Sequence, residues 1–379
     1  MRAGREVILP TPQRLHAPTD LSGRGVTIAF LDAGFYAHPD LTRPGDRILA
    51  YVDITNPHAR REALEVADDS AWHGMMTSVV ACGNGFLSGG RYRGLASGAA
   101  VVLVRCGQVR RVTHGDIQRG LDWVYRHRRQ YGIRIVNVSV GGDYEASYHH
   151  DGLSRAAERL VRAGVLVCAA VGNAGHLPGH PVLPPASAPG VLAVGGHDDK
   201  NQLAFEGYDM YHSSYGPTID GLQKPEVLAP GIWVAAPILP GTPTAAQAEL
   251  LLRLEQAPSA DLRELIAANP GVYPALDEAR HLEPALIRRL IEARLRDDKV
   301  ISGHYKHVDG TSFAAPIVAS IAAQMIEANP ALTPQAIRGL LIGTARRLPH
   351  VPVDRQGWGV VWPAAAIEQA RHWSPTAAN

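Results

Sequence analysis

The segment Gly310-Thr311-Ser312-Phe313-Ala314-Ala315-Pro316 decides how the rest of the chain is read. A glycine precedes a Thr-Ser pair, and an apolar run from Ile317 to Ile326 follows. The pattern predicts a tight turn feeding a helix, with Ser312 at the N-terminal end. A hydroxyl there lies near the positive end of the helix dipole and near unpaired backbone N–H groups. Two roles fit such a serine. It can cap the helix, the commoner reason for serine at that place. It can instead be a nucleophile, which requires a base, an acid and an oxyanion donor elsewhere in the chain.

Working outward, three stretches offer those partners. The apolar run Val26–Leu31 ends in Asp32, with Gly34 after it. A continuous apolar run closed by a turn predicts a buried parallel strand. The acid then sits at the carboxyl end of a strand, where open α/β sheets place their sites. His73-Gly74 opens a helix-like run to Ala81. Ala169-Ala170-Val171-Gly172-Asn173-Ala174-Gly175 carries an asparagine just past a buried strand, where a plain turn former is the alternative. Ile133–Gly142 reads either as an ordinary sheet strand or as an edge strand able to pair with an extended peptide.

In the order Asp, His, Asn, Ser, these segments resemble those of the subtilisin-like serine proteases, the subtilases. Gly310–Pro316 is similar to the nucleophile segment, Val26–Gly34 to the aspartate strand with His38-Pro39-Asp40-Leu41 as its sequel, and Ala169–Gly175 to the oxyanion-asparagine segment. Lys224–Gly231 and Gly357–Ala365 resemble two further family stretches. The resemblance covers residues 20–370 apart from an insertion. It implies an α/β, three-layer fold with a mostly parallel central sheet flanked by helices. It also implies a serine endopeptidase acting on polypeptides, with Asp32, His73 and Ser312 as the triad and Asn173 in the oxyanion hole. Ser139, Val140, Gly141, Ala170, Val171 and Gly172 would line the substrate path. The alternative function is a catalytically silent scaffold of the same fold. An esterase reading lacks its Gly-x-Ser-x-Gly elbow around Ser312.

The chain departs from the family pattern in places. Ala33 stands where Ser or Thr is usual, and Met76 where a second, non-catalytic histidine is usual. Cys82–Gly90 replaces the usual calcium loop and offers Asn84 but no carboxylate. Asp40 matches a family calcium ligand, yet calcium wants several oxygen ligands. The expectation is therefore no cofactor beyond a weak calcium site at Asp40. Between Ala174 and Gly190, where the family lines its primary pocket, there is no Asp or Glu, so a preference for Arg or Lys at the cleaved position is not expected.

Composition sets wider bounds. With 379 residues, 46% hydrophobic and 19% charged, the chain can build one large α/β domain. A net charge of +1 gives no bulk electrostatic case for nucleic acid or membrane. No apolar run is expected to span a bilayer. Cys82, Cys106 and Cys168 lie in apolar surroundings and read as buried free thiols. Residues 1–20 read as an extended arm or a disordered tail, without a secretory signal or room for a folded pro-domain, so a cytoplasmic location is expected. Residues 21–379 form the peptidase domain, interrupted at about 240–299 by Ala/Leu/Arg/Glu-rich sequence. There Leu286, Ile287, Leu290, Ile291 and Leu295 share a helical face after Glu283-Pro284. This insertion reads as a helical hairpin packed on the domain, or as a lid or docking element for a regulatory protein.

Overall fold

Strand β1 (Thr27–Asp32) is buried at all six positions, so it needs a layer on each of its faces. The computed structural model describes residues 7–108 and 111–375. Around β1 lie β2 (Ile48–Asp53), β3 (Ala100–Arg105), β4 (Ile133–Val138), β5 (Leu166–Ala170), β6 (Leu192–Asp198) and β7 (Val227–Pro230). The sheet order is β7-β6-β5-β4-β1-β3-β2, with every neighbouring pair parallel. A two-residue strand, Asp209–Met210, pairs antiparallel with β6.

The alternation of side chains along β1 builds the three layers. Ile28 and Phe30 enter a core cluster with helix α1 (Ala71–Cys82) and with the helix Thr311–Ala328. Ala29 and Leu31 enter a second cluster with α2 (His114–His127) and α3 (Gly152–Arg162). The three cysteines are free and buried. Thr311–Ala328 does reach the length and apolarity of a membrane span, against expectation, but 83% of that window is buried inside the protein. Its apolar run serves the core.

β4 is not an edge strand. It lies between β1 and β5, and its backbone groups pair on both sides. A strand buried at nearly every position needs such neighbours, because unpaired backbone groups are costly away from water. Only residues past Val138 leave the sheet.

The described part of the arm is docked. Thr11–Arg14 forms a helical turn, and the Arg14 side chain is fully buried. It donates to Asp199 Oδ2 at 2.6 Å and to the carbonyls of Trp233 at 2.6 Å and Ile232 at 2.8 Å. A guanidinium tolerates burial when its fork of donors is matched in this way. The arm's residues 1–6 and the chain's residues 376–379 lie outside the described residues.

The insertion leaves through β8 (Val234–Pro237) and returns through β9 (Tyr305–Val308), which pair antiparallel. Between them run helices Pro243–Gln256, Leu262–Ala267, Pro274–Ala279 and Pro284–Asp297. Leu251, Leu254, Leu262, Leu276, Ile287 and Ile291 close into a core of their own. The amphipathic faces therefore meet each other rather than a cleft. Leu286, expected on the apolar face, is 47% exposed.

Candidate active site

Asp32 ends β1 and is fully buried, and His73 is the third residue of α1. The helix rests directly on the strand end because Gly74 has no side chain. A Cβ there would meet the Gly34 carbonyl oxygen at 2.1 Å and Asp32 Cβ at 2.9 Å. His73 Nδ1 lies 2.6 Å from Asp32 Oδ1, which also accepts from the Ala33 N–H at 2.7 Å. The Thr77 hydroxyl donates to Asp32 Oδ2 at 3.1 Å. A carboxylate facing Nδ1 fixes the proton there and leaves Nε2 with a free lone pair. Burial opposes charge on His73, but the Asp32 charge and hydrogen bond outweigh it and raise the imidazole above its ordinary 6.5.

Ser312 is the second residue of its helix and half-buried. The His73 ring lies 5.9 Å from the ring of Phe313, the next residue. The Ser312 hydroxyl donates to the Ser139 carbonyl at 3.3 Å, and among the described residues it has no hydrogen bond to His73. Such bonds are commonly long without substrate and tighten when it binds. Pro316 lacks an N–H, so the Ser312 carbonyl loses its partner one turn on. Ser139 Oγ donates to that carbonyl at 2.8 Å, and Asn137 Nδ2 donates to Ser139 Oγ at 2.9 Å. Residue 139 thus grips both polar ends of Ser312. Gly310, at φ 140°, makes the turn before the helix, in a region that favours glycine.

Asn173 Oδ1 accepts from the Thr311 N–H and the Thr311 hydroxyl, both at 2.9 Å. The amide is thereby turned so that Nδ2 has no protein acceptor among the described residues, and its N–H groups remain available. His212 Nδ1 contacts the Asn173 carbonyl at 2.7 Å.

The expected substrate path divides between two adjacent strand ends. Ser139, Val140 and Gly141 follow β4, while Ala170 ends β5 and precedes Val171 and Gly172. Val171 is buried in the core, so only its backbone can face a substrate. The Ser139 side chain is likewise committed to Ser312.

Asp40 does not fit a calcium site. Its Oδ2 accepts from the Tyr305 hydroxyl at 2.6 Å and its Oδ1 from the Leu87 N–H at 3.1 Å. Both oxygens already have protein donors, and no group of three or more His, Cys, Asp or Glu residues that could hold a metal occurs among the described residues. Burial and the Asp40 contact push the Tyr305 phenol far up, so it remains a donor. Tyr305 belongs to β9, so the insertion's returning strand is bolted to the helical turn Pro39–Thr42 that follows β1. Tyr305→Phe leaves a buried carboxylate oxygen without its donor and should cost about 1.5–3 kcal/mol. Calorimetry should find the melting temperature several degrees lower; an unchanged transition would mean that the bond contributes nothing.

Sequence reasoning missed Thr77, Thr311, Asn137 and Tyr305. Thr77 was within reach, since it lies four positions after His73 on one helix face. Tyr305 was not: its partner is 265 positions away.

Comparison with known proteins identifies the family and the fold. A sequence model of the subtilase family matches residues 23–359. Serine protease AprX of Bacillus subtilis (strain 168) is 30% identical over 85% of this chain and 61% of its own length. Minor extracellular protease Epr of the same organism is 32% identical over 48% of this chain and 25% of its own. The chain thus spans about three fifths of AprX and a quarter of Epr. Among solved structures, a protease from Pseudoalteromonas arctica superposes with a TM-score of 0.61 at 21% identity, covering 96% of this chain and 94% of that one. Fervidolysin from Fervidobacterium pennivorans, a keratinolytic enzyme related to subtilisin, gives 0.60 at 21%, covering 95% of this chain and 44% of that one. These superpositions show a shared fold, and the match from Gly23 to Gly359 makes this chain a member of the subtilase family.

Proposed function

We propose that this protein is a serine endopeptidase that cleaves polypeptides through an acyl-enzyme on Ser312. The observation that carries the reading is buried Asp32 bonded to half-buried His73, whose ring lies 5.9 Å from that of Phe313, the neighbour of a half-buried serine at a helix N-terminus. A serine hydroxyl is a poor nucleophile at neutral pH and needs an adjacent base. His73 takes the Ser312 proton and returns it to the leaving amine. Asp32 holds the tautomer and stabilises the imidazolium. Asn173 Nδ2 and the Ser312 N–H stabilise the tetrahedral oxyanion. An extended substrate backbone runs along Ser139–Gly141 and Ala170–Gly172.

Turnover of a chromogenic peptide tests the reading. Asn173→Ala should lower kcat by about 10²–10³-fold with little change in KM, the known worth of the oxyanion asparagine in subtilisin. An unchanged kcat would remove Asn173 from the mechanism. Absence of any turnover in the wild type would favour the silent scaffold.

The insertion is proposed to govern access of large substrates or to dock a regulatory protein, because its two strands flank the nucleophile turn. Its self-contained core supports removal without collapse of the main domain. Replacing residues 240–299 with a short Gly/Ser linker should leave a cooperative melting transition, an unchanged rate on a small peptide and a higher rate on a protein substrate. A folded deletion with wild-type rates on both substrates would reduce the insertion to decoration, and a deletion that cannot fold would make it part of the core.

A further inference from the structure

We infer that Thr77 is a positioning residue for the reaction, and that its hydroxyl replaces on α1 the one absent at Ala33. The inference rests on the endopeptidase reading above. Asp32 is fully buried, and its Oδ1 is already engaged by His73 Nδ1 and the Ala33 N–H. The donor to Oδ2 is the Thr77 hydroxyl, itself fully buried, at 3.1 Å. The same hydroxyl lies 3.1 Å from the Gly74 carbonyl. Its position four residues past His73 turns both side chains toward one carboxylate from a single helix face. Ala33 has no hydroxyl to offer, and its methyl is buried. Thr77 therefore fixes the carboxylate's rotation, which in turn fixes the imidazole plane facing Ser312.

Among the described residues, Cys106 is a further titratable group near Asp32: its backbone N–H donates to the Asp32 backbone carbonyl, while its thiol is turned to the Val104 carbonyl. Burial keeps its thiol protonated well above neutral pH. A change in the pH profile around neutrality therefore reports His73.

The experiment compares Thr77→Val, Thr77→Ser and Ala33→Ser/Thr77→Val with the wild type on a peptide substrate, with Ser312→Ala as the blank. Thr77→Val keeps the shape and removes the donor. It should lower kcat by about 10–100-fold, the worth of a hydrogen bond to a charged group. KM should stay within about twofold, because Thr77 is buried behind the carboxylate. The acid limb of kcat/KM should move to higher pH, because a carboxylate short of one donor holds the imidazolium proton more tightly. Thr77→Ser should retain wild-type kinetics, and adding Ala33→Ser to Thr77→Val should recover most of the loss. A Thr77→Val enzyme with wild-type kcat and pH profile overturns the inference, as does an equal loss in Thr77→Ser. A double variant no faster than Thr77→Val overturns the exchange between positions 33 and 77. If the wild type shows no turnover above Ser312→Ala, the endopeptidase reading itself has failed, which is a separate result.

Discussion

Ser312→Ala should leave a folded protein whose peptide hydrolysis falls by about 10⁶-fold, the loss known for a subtilisin without its nucleophile. Among the described residues the Ser312 hydroxyl donates only to the Ser139 carbonyl, while the backbone bonds that hold residue 312 remain after its removal. The melting temperature should therefore move little. Because the members of the proposed triad would act as a unit, His73→Ala should cost about as much as Ser312→Ala, and the double variant should be no slower than either. Burst kinetics with an activated ester provide the check. A residual rate within tenfold of wild type would place the nucleophile elsewhere.

Asp32→Asn should reduce kcat by about 10⁴-fold, the order seen when the acid of such a triad is made an amide. The amide can present N–H to Nδ1, which favours the wrong tautomer. The pH dependence gives a second readout. The proposed mechanism requires neutral His73, so the raised imidazole should place the wild-type acid limb above pH 6.5, with activity lost as the pH falls through it. In Asp32→Asn the raising influence is gone and only burial remains, which lowers the imidazole. The acid limb should then shift to lower pH as the rate collapses. A shift to higher pH, or no shift, would show that Asp32 does not set the basicity of His73. The direction is opposite to that expected for Thr77→Val, so the two substitutions separate the charge of the carboxylate from its placement.

Much of the parallel sheet was legible because buried parallel strands write themselves as continuous apolar runs. Val26–Leu31, expected as a strand, became β1 within one residue, and the apolar runs Ala99–Val104 and Val165–Ala170 coincide with β3 and β5 in the same way. The same signal misled at Ile133–Val138. An apolar run announces burial but not which strand lies on either side, so a central strand was read as a possible edge. The residues of the candidate site were legible as types, since Asp32, His73, Asn173 and Ser312 each lie within three residues of the end or start of an element. Their supports were not. Thr311 on Asn173, Ser139 on the carbonyl freed by Pro316, and Tyr305 on Asp40 are contacts between segments distant in sequence, and no local period encodes them. The helical period of the insertion was legible too, but a period identifies an apolar face without naming what covers it.

The antiparallel stem has a consequence for how this chain can be rebuilt. Val234 faces Val308 and Pro237 faces Tyr305, so the excursion departs and returns about 5 Å apart, as neighbouring strands do. Closing a loop across such a gap costs entropy that grows only with the logarithm of its length. The position is therefore a port: a foreign module with adjacent termini can occupy it without lengthening any path through the sheet. Asp309 follows the returning strand and Thr311 begins the helix that carries Ser312, so strain or ordering in a grafted sensor would be delivered within a few residues of Ser312.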